Sequence, residues 1–192
     1  MRRVKRIGVV LASVALLVLG GAAGWFGSRE IQDAETVTDT TTVTRTATVA
    51  ASDPGLPAAV VKTRDALLAA AEGRDYAALR ALVPTTGFEY TFGSPVPGGA
   101  IAYWQDLERT TGQRPLDALA KVLRMPYTLS RGLYVWPFAY SVASIDDLTA
   151  HERELLAPLG PLESVFVEGT GYLGWRAGIR PDGTWVFFVA GD

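Results

Sequence analysis

The stretch that decides the fold is "YLGWRAGIRPDGTWVFFVAGD", residues 172–192. Two runs of aromatic and branched residues flank Arg180-Pro181-Asp182-Gly183. Proline presets φ and glycine accepts positive φ, so this tetrapeptide is a turn and the runs are paired strands. In the first strand Leu173, Trp175, Ala177 and Ile179 share one face, and Tyr172, Gly174, Arg176, Gly178 and Arg180 share the other. In the second, Trp185, Phe187 and Val189 alternate with Val186 and Phe188. Both of its faces are apolar, which predicts an interior strand covered on two sides.

Upstream the pattern is helical. "LPAAVVKTRDALLAAAEGRDYAALRALVP" (56–84) reads as two helices, with Val60, Val61, Leu67, Leu68 and Ala71 at helical spacing. Gly73 breaks the first, Asp75 caps the second and Pro84 ends it. "GFEYTFG" (87–93) alternates rings with Glu89 and Thr91 and predicts a strand. Two more short helices follow, over 100–112 and 114–126. In "YVWPFAYS" (134–141) Tyr134, Trp136, Phe138 and Tyr140 fall at every second position, so an extended chain puts all four rings on one face. Pro137 lacks an amide hydrogen, which makes this an edge strand, a bulge or a merely extended segment. Thr149 and Glu152 form a capping box that opens another helix. Helices first and a closing hairpin give an α+β domain over 55–192.

The first 54 residues differ in kind. "IGVVLASVALLVLGGAAGWF" (7–26) contains no charge, and as a helix it spans about 30 Å, the thickness of the hydrocarbon layer. Arg2, Arg3, Lys5 and Arg6 precede it in a basic tail over 1–6. Cations resist translocation, so the tail belongs in the cytoplasm and the C-terminal domain across the membrane, outside the cytoplasm. Its length favours a retained single-pass membrane helix; a cleaved signal peptide is the competing reading, and both export the domain. Residues 27–54 are threonine-rich and poor in large apolar side chains, as expected of a flexible tether. From Pro54 onward 12 Lys and Arg face 15 Asp and Glu, which argues against nucleic acid as a partner. The chain has no cysteine and a single histidine. That removes disulfides and thiolate chemistry and argues against a transition-metal site, so no metal or other cofactor is expected, a carboxylate-only site for a harder ion being the alternative.

The helix–Gly73-Arg74-Asp75-Tyr76-Ala77-Ala78-Leu79–helix step, followed by "GFEYTFG" and the closing hairpin, resembles NTF2-like (SnoaL-like) domains. The resemblance covers about residues 57–92 and 170–190. It implies a curved antiparallel sheet forming a half-cone around a cavity. The family includes enzymes, ligand binders and dimerisation modules, so the resemblance implies no particular chemistry.

Six residues are candidates for such a cavity. Glu89 becomes a general base if it points inward, because burial raises a carboxyl pKa; pointing outward, it is a solvated acid. Arg176 stands among glycines, where a guanidinium binds a carboxylate or phosphate, or else pairs structurally with Glu89 or Asp106. Sixteen of the 19 aromatics lie between Phe88 and Phe188. Tyr90, Trp104, Trp136 and Tyr140 among them are either core or the lining of a pocket for a small apolar or sugar-like ligand. His151, in the predicted capping turn, reads as a surface residue. Three functions fit these residues: a membrane-anchored module that binds a ligand or an envelope protein, an isomerase- or hydrolase-type enzyme acting on a small lipophilic or carbohydrate substrate, and a dimerising assembly module.

Overall fold

A computed structural model describes residues 55–191. The expected membrane helix over 7–26 and tether over 27–54 lie outside the described residues. Among the described residues no helix is long and apolar enough to cross a membrane.

The domain is α+β. Four helices come first: α1 (Ala58–Glu72), α2 (Tyr76–Leu82), α3 (Gly99–Thr111) and α4 (Pro115–Leu123). Strands β1 (Thr128–Ser130) and β2 (Leu133–Trp136) follow, then α5 (Ala150–Leu156). The chain closes with β3 (Phe166–Val167), β4 (Gly171–Tyr172), β5 (Arg176–Ile179) and β6 (Trp185–Val189). The main sheet is antiparallel and curved, in the order β1-β2-β5-β6, and β3-β4 form a separate ribbon.

Local chemistry explains the helix ends. Asp75 Oδ1 accepts from the amides of Ala77 and Ala78, both at 2.9 Å, and so satisfies orphan donors of α2. The left-handed residue between α1 and α2 is Arg74, at φ 51°, whereas Gly73 stays helical. Arg74 then reaches both carboxylate oxygens of Asp117 on α4 at 3.0 Å. The Thr149–Glu152 capping box forms as expected, with Thr149 Oγ1 accepting the Glu152 amide and the Glu152 carboxylate accepting the Thr149 amide.

The helices cover one face of the sheet. Val60, Leu67, Leu79, Trp104 and Leu119 pack there against Trp136, Ala177, Ile179, Trp185 and Phe188. Trp104 lies 5.8 Å from Trp185, 5.4 Å from Phe188 and edge-on to Phe88 at 6.1 Å between ring centroids. The indole N–H groups of Trp104, Trp136 and Trp185 find no acceptor among the described residues. Shape and dispersion therefore hold these rings rather than polar anchoring. The opposite face carries a smaller cluster of Val135, Phe187 and Val189, with Tyr140 packed on it.

Four expectations are corrected. First, the strict alternation of β6 breaks at a bulge. Gly178 pairs with Phe187 and Ile179 with Trp185, leaving Val186 as the extra residue. Trp185 consequently shares the helix-side core with Phe188 instead of the opposite face with Phe187. Second, β6 is covered on both faces as expected, but it ends the four-stranded order. Its outer edge is met by the Glu89 backbone, whose amide donates to Val186 O and whose carbonyl accepts from Phe188 N, both at 3.0 Å.

Third, that parallel bridge is all that forms of the strand expected over 87–93. The Thr91 hydroxyl accepts the Gly93 amide and the Tyr90 hydroxyl accepts the Val96 amide, so side chains take the backbone into a turn. Fourth, the four rings of 134–140 do not share a face. β2 lies between β1 and β5 and ends at Trp136. A cis Trp136–Pro137 bond follows, then a 3-10 turn over Phe138–Ser141. Tyr134 and Trp136 stay on the helix side. Phe138 enters a second cluster with Met125, Leu148, Leu156 and Tyr172. Tyr140 sits over Phe187, with ring centroids 6.3 Å apart.

Candidate functional site

The structure does not bring the six candidate residues together. Trp104 and Trp136 are fully buried in the helix-side core. Tyr90 is half-buried at the edge of that core, 5.6 Å from the Tyr103 ring. Tyr140 lies on the opposite face. The Glu89 side chain is exposed at the β6 edge, with its backbone rather than its carboxylate engaged there. Arg176 is buried. Its Nη1 donates to Gly174 O at 3.0 Å and its Nη2 to Gly191 O at 2.6 Å, and its guanidinium sits 5.3 Å from the centre of the Phe92 ring. Arg176 thereby ties the start of β5 to the residues just beyond β6. Asp106 pairs with Arg109 on its own helix.

His151 is exposed in the first turn of α5, next to the buried Glu152. Among the described residues no three His, Asp or Glu side chains are grouped to hold a metal ion. Burial holds the Tyr172 phenol well above its ordinary pKa, and Arg176 offsets this only in part. Burial and the neighbouring Glu108 carboxylate do the same to Tyr76.

Two clefts open beside the β3–β4 ribbon. The first, about 490 Å³, lies between the segment Ala143–Asp146 and residues Glu163 and Phe166–Gly169. Ile145, Phe166 and Val167 give it an apolar surface, and Asp146, Glu163 and Glu168 stand around it. The second, about 350 Å³, has Leu159, Val165, Leu173 and Trp175 in its wall. Val167 lines both clefts and is 46% exposed, one of the few large apolar side chains so exposed among the described residues. None of the six candidate residues lines either cleft.

Charge is segregated in the same place. Residues 143–170 contain six Asp and Glu against one Arg, a net of −5. The rest of the described residues carry 11 Lys and Arg against eight Asp and Glu, a net of +3. Glu163 and Glu168 take part in no ion pair among the described residues, and Asp146 meets Arg153 only at 3.9 Å. The single arginine of this segment also donates from Nε to the Leu148 carbonyl at 3.2 Å. In the sequence Asp146, with Asp147, reads as a helix or turn cap, and no motif marks Glu163 or Glu168. The signal was present as a local excess of acids, but only the fold sets Asp146 across a cleft from Glu163 and Glu168.

Compared with protein-family models, with curated proteins and with solved structures, the chain matches none.

Proposed function

We propose that the protein is a membrane-anchored interaction module. Residues 7–26 form a single transmembrane helix, 27–54 a tether, and 55–192 an NTF2-like half-cone domain displayed outside the cytoplasm, where it binds another envelope protein. The observation that carries this reading is the uncharged 20-residue run placed directly after four cations in six positions. Its length matches the hydrocarbon layer and its flanking charge sets the orientation. The helix-first order with a curved closing sheet supports the half-cone reading.

Binding is assigned to the surface beside β3–β4 rather than to an aromatic interior. The large rings of the core are packed against one another, whereas exposed Val167 and the carboxylates of Asp146, Glu163 and Glu168 line the clefts. No observation favours the enzymatic alternative built on Glu89 and Arg176. The test is extraction of membranes with alkaline carbonate. The full chain stays in the pellet, and a chain lacking 7–26 is released; full release of the intact chain overturns the reading.

A further inference from the structure

We propose that the paired clefts beside the β3–β4 ribbon take a basic, apolar polypeptide segment of a partner protein. The proposal deepens the interaction-module reading above and rests on it. The argument is charge complementarity on an apolar groove. Three exposed carboxylates, Asp146, Glu163 and Glu168, surround one cleft. Exposed carboxylates attract cations, and a lysine or arginine reaching them forms ion pairs. Between them Ile145, Phe166 and Val167 present apolar surface, and Val167 carries it into the neighbouring cleft lined by Leu173 and Trp175.

A ligand matching only the charge leaves this surface in water. One matching only the apolar wall leaves Glu163 and Glu168 without counter-ions, and Asp146 with only the distant Arg153. An extended peptide meets both demands, because alternate side chains project to opposite sides at about 3.3 Å per residue. The net charge of −5 on residues 143–170, against +3 elsewhere, steers a cationic segment to this side of the domain.

The test uses the full chain in nanodiscs of uncharged lipid, with empty nanodiscs as blank. The probe is a fluorescent synthetic nonapeptide of alternating lysine and valine, followed by anisotropy. Saturable binding is expected, weaker at about 200 mM than at about 50 mM salt because the charges are exposed. Glu163→Gln with Glu168→Gln raises Kd about fivefold or more, as two exposed ion pairs allow. Val167→Ser also raises Kd. Asp106→Asn with Glu108→Gln removes the same charge from α3 and leaves Kd within about twofold. Circular dichroism confirms that each variant is folded.

Four results overturn the proposal: no saturable binding, equal weakening by the α3 pair, spermine binding as tightly as the peptide, or a signal that tracks self-association of the chain. Membrane extraction is read separately. A chain that stays anchored but ignores the peptide loses this partner and keeps its display role.

Discussion

The ring of Phe187 lies against the Cα of Gly178 on the neighbouring strand, so close that a Cβ at 178 would stand 2.3 Å from Phe187 Cε1. Only glycine leaves room for that ring on the face of the sheet away from the helices. Gly178→Ala therefore overpacks the pair and costs about 1–3 kcal/mol. Adding Phe187→Ala removes the clash, so the double variant is more stable than the sum of the two single losses predicts. Denaturant midpoints of the four proteins measure this, and strict additivity would contradict the contact.

Arg176 donates to two backbone carbonyls, Gly174 before β5 and Gly191 beyond β6. Arg176→Lys cannot serve both Gly174 and Gly191, and an unsatisfied buried partner costs about 1–3 kcal/mol. The loss should also be local. The Gly191 amide, bonded to Leu173 O at 2.7 Å, exchanges its hydrogen faster, while the α1 amides keep their relative protection. Uniform acceleration across the domain would show that Arg176 does not clasp this end of the sheet.

Tyr172 predicts an alkaline weakness. An unfolded tyrosine ionises near pH 10, and burial raises this phenol above that in the fold. Below about pH 10 both states keep the proton and the group gives no pH dependence. Above it the unfolded state loses the proton first, so stability falls as pH rises toward the folded value. Tyr172→Phe loses the hydroxyl's bond to Trp175 O, about 0.5–1.5 kcal/mol at neutral pH, and shows a shallower decline above pH ~10. An unchanged alkaline slope would remove Tyr172 as its source.

What could be read in the sequence was what a few neighbouring residues decide. Asp75 and the Thr149–Glu152 box cap their helices through bonds within four residues. The faces of Ala177, Gly178 and Ile179 follow from simple alternation. The β6 bulge and the Glu89 bridge depend on a partner strand, so alternation within one segment misplaced Trp185. The β1–β2 hairpin was missed although Arg131 and Gly132, at φ 50° and 79°, form a two-residue turn of the kind that matches strand twist. The strands beside it are too short to show a period. Aromatic richness could not separate core from pocket, because Trp104 and Trp136 suit either, and burial decided it.

The proposed placement of the domain across a membrane is tested most directly by labelling, because the chain contains no cysteine to give a background. Glu154 is exposed on α5 and Val4 lies in the basic tail. Single variants Glu154→Cys and Val4→Cys are treated in intact cells with a maleimide unable to cross the anchoring membrane. The account predicts that Glu154→Cys is modified at once and Val4→Cys only after permeabilisation. Protection of Glu154→Cys until the cells are opened would contradict it.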